Sequence, residues 1–167
     1  MGYYTGQPIA DGPVEIRSPD LNGFLAAHDE ADIDTSDWYR EAATTDNMLY
    51  FAVALVSDQT PIGEVVLHSI DLKAGSASVH IHLFRKENRI HGHGEHALRA
   101  ILEYAFIHAK LKRITLVVRE ENFPARRCYA KCGFEQVDRL EGDRTQLLMA
   151  LTRDQWRRLH DEEEWEH

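Results

Sequence analysis

The chain has 167 residues, 43% of them hydrophobic, a length and apolar content suited to one globular domain with its own core. With 28 acidic residues against 19 basic ones the formal net charge is -9, and no basic stripe exists to displace counterions, which argues against a nucleic-acid surface. No apolar run approaches the roughly 20 residues needed to span a bilayer, the opening MGYYTGQPIADG lacks the basic and apolar regions of a signal peptide, and the two cysteines, Cys128 and Cys132, are too few for a disulfide framework, so a cytoplasmic protein with reduced thiols is expected.

In chain order, residues 1–12 read as loosely ordered and Val14-Glu15-Ile16-Arg17 as a first strand. From Asp20 to about Thr45 the sequence is polar with scattered Leu21, Phe24, Leu25, Ile33, Trp38 and Tyr39, which predicts one or two short helices. Leu49 to Val56 is a nearly continuous apolar run, the mark of a strand covered on both faces. Asp58-Gln59-Thr60-Pro61 makes a turn, Ile62 to Ile70 the next strand, and Lys73-Ala74-Gly75 another turn. Ser78 to Phe84 alternates, with Val79, Ile81 and Leu83 on one side and His80, His82 and Phe84 on the other. These runs predict an antiparallel meander.

After Gly94 the period changes. Ala97, Leu98, Ile101, Leu102, Ala105 and Phe106 recur at helical spacing, predicting a helix to about Ala109. Ile114 to Val118 is a short buried strand. Asn122-Phe123-Pro124 reads as an N-cap with proline in the first turn, and Gly133-Phe134 as the matching C-terminal stop. Two last strands, near Phe134–Leu140 and Gln146–Leu151, precede a helix around Arg153–His160, and the acidic run Asp161-Glu162-Glu163-Glu164 reads as a solvated tail. No repeat or linker divides the chain, so residues 1–167 form a single domain, and the order βββ-α-β-α-β-β predicts an α/β fold with a mixed, mostly antiparallel sheet and helices on both faces.

Arg89-Ile90-His91-Gly92-His93-Gly94 lies between a strand and a long helix. Glycine lets a backbone approach a ligand closely, and a helix start offers N–H groups and a positive dipole end, so the segment suits an anionic diphosphate. It lacks the Gly-Lys-Ser/Thr ending of a nucleotide-hydrolysing phosphate loop. His91, His93 and His96 have no cysteine or clustered carboxylate to complete a metal sphere, so no metal is expected. Cys128 and Cys132 read as packing residues.

Taken together, "IGEVVLHSID", "SASVHIHLF", "RIHGHGEHAL", "YAFIHAKLKRITLVV", "ENFPARRCYAKCGF" and "LLMALTRDQW", from about Ile62 to Trp156, resemble the GCN5-related N-acetyltransferase superfamily, and within it the ribosomal-protein and spermidine acetyltransferase branch. The resemblance implies acetyl-CoA as donor and a primary amine as acceptor. It implies that residues Ile90, His91, Gly92, His93, Gly94 and Glu95, with Arg89 before them, hold the CoA pyrophosphate. Leu83, Phe84 and Arg85 would pair main chain with the pantetheine arm as an added strand, Asn122 would contact that arm, and Tyr129 would face the thioester sulfur as general acid. The family often places a carboxylate on the strand before the loop to take the ammonium proton. This chain has His80 and His82 there; His80 is the first candidate base, with His82 and Glu64 as substitutes. Trp38 and Tyr39 line the acceptor side or pack the core. The acidic charge suits a cationic acceptor, or serves solubility alone. Polyamine, antibiotic, amino sugar and protein N-terminus all remain open as acceptors, a homodimer is compatible, and a CoA-binding sensor without transfer activity is the alternative function.

Overall fold

In the computed structural model, which describes residues 2–19, 36–84 and 92–166, the N-terminus departs from the sequence reading. It forms β1 (Gly2–Tyr3) and β2 (Ile9–Asp11) ahead of β3 (Val14–Arg17), where a loosely ordered segment was expected. β2 and β3 make a tight antiparallel hairpin with Asp11 opposite Val14, while β1 runs parallel to β4. Asp11-Gly12-Pro13 is the turn signal for this hairpin: Gly12 sits at φ +57, a left-handed conformation that favours glycine.

Next come α1 (Ser36–Ala42), β4 (Leu49–Leu55), β5 (Pro61–Asp71) and β6 (Ser76–Leu83). The helix expected around Leu21, Phe24, Leu25 and Ile33 lies outside the described residues. β4, β5 and β6 are the expected meander. β4 is apolar throughout because both its faces are covered: Phe51 and Val53 enter the main core, and Tyr50 and Ala52 enter a smaller cluster under Trp38 and Tyr39 of α1. β6 alternates as predicted, Val79 and Leu83 toward the main core and Phe84 toward the smaller cluster.

The helix predicted after Gly94 is α2 (His93–Glu103), prolonged by a π-helical turn over Tyr104–His108. It buries Ala97, Leu98, Ala100, Ile101 and Leu102. Truncating Leu98 or Ile101 to alanine would cost about 2–5 kcal/mol on this packing. β7 (Arg113–Arg119), α3 (Phe123–Lys131), β8 (Glu135–Arg139), β9 (Gln146–Thr152) and α4 (Arg153–Glu166) complete the chain. α3 starts and stops where its caps predict: Asn122 Oδ1 accepts from the Ala125 N–H at 3.3 Å, and past Gly133, at φ +103, the Phe134 N–H reaches the Tyr129 carbonyl at 3.0 Å.

The strands lie in the order β2-β3-β4-β5-β6-β7-β9-β8, with β1 beside β4, and the sheet is antiparallel except at β1–β4 and β6–β7. β6 and β7 pair only through Ser76–Ser78 against Arg113–Thr115. The last rung is closed by the hydroxyls of Ser78 and Thr115, 2.7 Å apart. Beyond it the two strands share no ladder, so a wedge opens in the middle of the sheet toward their C-terminal ends.

Candidate active site

The wedge is bounded by the end of β6 and the start of α2. Gly63 lets β5 and β6 approach there, since a Cβ on it would lie 2.4 Å from the His82 carbonyl oxygen. The buried Leu83 side chain reaches α2, because a Cβ on Gly94 would meet Leu83 Cδ1 at 3.8 Å. Phe84 follows, buried, its N–H bonded to the Ile62 carbonyl at 2.9 Å.

α2 begins at Gly92, whose φ of +75 ends the approaching chain in a left-handed turn. Among the described residues no side chain caps this end, and none lies within 4 Å of where a Cβ on Gly92 would sit. First-turn N–H groups have no carbonyl one turn back to bond, so a helix start without a capping side chain is suited to an anion. His93, Gly94 and Glu95 form that first turn. The Glu95 carboxylate lies 3.6 Å from Arg99 and 4.0 Å from Lys131, which ties α2 to α3. Arg85, Arg89, Ile90 and His91 lie outside the described residues. His96, one residue further along α2, holds Asp11 of the β2–β3 hairpin at 2.6 Å and so anchors the helix to the sheet edge.

α3 carries the remaining donor-side candidates. The N-cap bond commits the Asn122 side-chain oxygen to the helix and leaves its amide NH2 uncommitted to that cap. Tyr129 is half-buried in the last turn, its ring 6.3 Å from Phe134. Burial, helped by the two neighbouring thiols, pushes its phenol up to about 12, so it keeps its proton throughout the neutral range. Cys128 and Cys132 are free thiols, and the hydrogen bond between them, with burial, raises Cys132 and holds it protonated. Among the described residues no group of three or more His, Cys, Asp or Glu side chains is placed to hold a metal ion.

On the face of the sheet that α1 covers, the three candidate bases come together. Glu64 lies directly across the β5–β6 ladder from His82, and Val66 across from His80. The Trp38 indole stacks on His80 at 4.6 Å and 16°, and its ring is 5.0 Å from His68. Burial first, then His82 and His68, push His80 down to about 4, so its imidazole is neutral and weakly basic at neutral pH. Glu64 is fully buried, and burial pushes its carboxyl up to about 7, although the Tyr50 hydroxyl donating to its Oε2 at 2.5 Å favours the charged form. Tyr50 is held in turn: Tyr3 and Tyr39 meet it edge-on at 6.2 and 5.3 Å, and these two stack on each other at 4.8 Å. The Tyr3 hydroxyl also donates to the Tyr39 carbonyl at 2.9 Å. Sequence reasoning passed over Tyr3 and Tyr50; a charged residue inside the buried run IGEVVL was the one signal that Glu64 needs such a partner.

The family model described as "Acetyltransferase (GNAT) domain" matches residues 10–135. No curated protein sequence matches the chain. An acetyltransferase of the GNAT family from Bacillus anthracis is 19% identical, with a TM-score of 0.70 over 89% of this chain and 99% of that one. Spermidine N-acetyltransferase from Vibrio cholerae, solved with CoA and spermine, is 19% identical, with a TM-score of 0.72 over 87% and 99%. Mycobacterium smegmatis RimJ, solved with CoA-disulfide, is 21% identical, with a TM-score of 0.71 over 87% and 86%. At these identities the likeness is one of fold.

Proposed function

This chain belongs to the GNAT acetyltransferase family, and from that premise we propose that it is an N-acetyltransferase that uses acetyl-CoA and that its acceptor is a small, cationic primary amine. The observation that carries the reading is the wedge itself. A β6–β7 ladder that stops at Ser78–Thr115 leaves strand edge beside a helix start without a side-chain cap, which suits an extended arm ending in a diphosphate. The residues fit the donor in kind: Leu83 and Phe84 at the strand end, Gly92, His93, Gly94 and Glu95 at the helix start, and the amide of Asn122. Arg85, Arg89, Ile90 and His91 belong to the same proposed set by sequence.

The chemistry asks three things of the protein. Main-chain N–H groups along the wedge would bind the thioester oxygen as it gains charge. Tyr129, protonated at neutral pH, would hand its proton to the departing thiolate. A base on the α1-covered face would strip the ammonium. The amine enters over that face, where Trp38 and Tyr39 form the cover and the net charge of -9 favours a cation.

A panel of polyamines, aminoglycosides, amino sugars and peptide N-termini, incubated with acetyl-CoA and read by thiol release and product mass, tests the proposal. Turnover of a cationic small amine is expected. Turnover confined to peptide termini would move the acceptor to protein, and donor binding without any turnover would favour a CoA-binding sensor. Spermine accompanies CoA in the Vibrio cholerae neighbour, which makes polyamines the first members to try.

A further inference from the structure

Resting on the acetyl-transfer reading, we propose that Glu64, in place of His80, takes the proton from the incoming ammonium, with Tyr50 as the residue that positions it. Glu64 stands on β5 opposite His82, one rung from the Gly63–Leu83 pair that ends β6 beside the wedge. It therefore lies next to the strand that borders the wedge, on the face over which α1 lies. Its carboxylate is set by a chain of contacts that fixes one orientation: Tyr3 on Tyr39, both on Tyr50, and Tyr50 on Oε2.

The groups around it decide the choice of base. Tyr50 faces it from β4 and His82 from β6, with His80 two residues along β6; Tyr39 of α1 and Tyr3 of β1 pack on Tyr50, while His68 lies further along β5 against Trp38, with Glu41 of α1 acting on His68. Burial raises the phenols of Tyr3 and Tyr50, which therefore carry no charge at neutral pH. His80 is pressed under Trp38 and titrates near 4, whereas Glu64 titrates near 7. Burial thus makes the carboxylate the more basic of the two groups, and the Trp38 ring stacked on His80 covers the competing imidazole.

The step balances as follows. R–NH3+ gives one proton to the Glu64 carboxylate, directly or through water, and the free amine bonds to the thioester carbonyl carbon. The C–S bond breaks, the thiolate takes the Tyr129 proton, and the phenolate recovers the proton the new amide nitrogen sheds. Glu64 releases its proton to solvent, so one ammonium and one thioester become an amide, a thiol and H+.

The test is the pH profile of kcat/KM with acetyl-CoA and the best amine of the panel, alongside calorimetry with CoA. The wild-type profile should rise through about 7 and then level. Glu64→Gln should lower kcat/KM on the order of 10²- to 10⁴-fold and abolish the limb, with CoA affinity unchanged. Tyr50→Phe should keep the limb but move it to higher pH, because the hydroxyl that favours the carboxylate is gone; a merely structural tyrosine would not move it. His80→Gln and His82→Gln should leave the limb in place. Should Glu64→Gln fold, bind CoA and keep the wild-type limb, or should either histidine variant remove that limb, the assignment is overturned. Wild-type protein that fails to bind acetyl-CoA would instead overturn the transfer reading itself. If Glu64→Gln does not fold, the carboxyl titration of wild-type protein by ¹³C NMR replaces it: a midpoint near 4.5 in place of about 7 refutes the proposal.

Discussion

Replacing Glu64 with glutamine should make the protein more stable at alkaline pH and nearly neutral in effect under acid conditions. Glu64 is fully buried, and its carboxyl is raised from 4.5 to about 7. Because the folded state holds the proton more tightly than the unfolded chain, the folded state binds more protons between these values, and stability falls as pH rises from about 4.5 to about 7. Each pH unit corresponds to about 1.4 kcal/mol, so ionising the carboxyl in place costs the fold about 3 kcal/mol above pH 7. Glutamine has the same shape, still accepts from the Tyr50 hydroxyl, and cannot ionise. Urea denaturation at pH 5 and pH 8.5 reads the difference. The variant should match wild type within about 1 kcal/mol at pH 5 and exceed it by about 3 kcal/mol at pH 8.5. A variant equally destabilised at both pH values would refute the reasoning, since it would show that the carboxylate is held by charge pairing and not merely tolerated.

Other outcomes follow from the site. Tyr129→Phe should lower kcat on the order of 10²-fold or more while leaving CoA affinity nearly unchanged; steady-state kinetics and calorimetry check this, and a kcat within about threefold with chemistry rate-limiting would exclude a general acid. Gly94→Ala should leave the melting temperature unchanged or raise it, because its Cβ meets only Leu83 at 3.8 Å and alanine favours the helix by up to about 1 kcal/mol, yet CoA affinity should fall at least about tenfold if the glycine serves close backbone approach. Gly92→Val is the poorer probe: at φ +75 it strains the backbone by about 1–2 kcal/mol before any ligand is considered. For a polycationic acceptor, kcat/KM should fall as salt rises, mainly through KM, because the Debye length is only about 10 Å at 0.1 M; acceptor kinetics at several ionic strengths that show no slope would remove the steering argument. Asp29, Glu30, Asp32 and Asp34, the acidic residues that by sequence would join Asp37 of α1 in that field, lie outside the described residues.

The local features of the fold were legible in the sequence because they rest on near neighbours. β4 declared two covered faces by its apolar run, β6 declared its alternation, and α3 declared both ends through Asn122, Pro124 and Gly133. Of the β2–β3 hairpin only β3 was legible as a strand; β2 was missed because it is three residues long, although Asp11-Gly12-Pro13 carried the turn chemistry. The helix after Gly94 was expected to run regularly to Ala109, but it relaxes into a π turn from Tyr104. What the sequence could not show depends on register between distant strands. Nothing local says that the β6–β7 ladder stops after Ser78 and Thr115, nor that Tyr50 lands on Glu64. His80 looked like the natural base because histidine titrates near neutrality in water; Trp38, stacked on it from α1, is what changes its basicity.

The account's central claim is that the wedge beside the start of α2 holds the donor, and amide hydrogen exchange with and without acetyl-CoA tests it most directly. The account predicts protection concentrated in Val79–Leu83 of β6 and residues 92–96 of α2, with the Ser76–Ser78 rungs, already paired, and the distant β8–β9 ladder changing little. Saturating binding that leaves both of those segments exchanging at their ligand-free rates would contradict it.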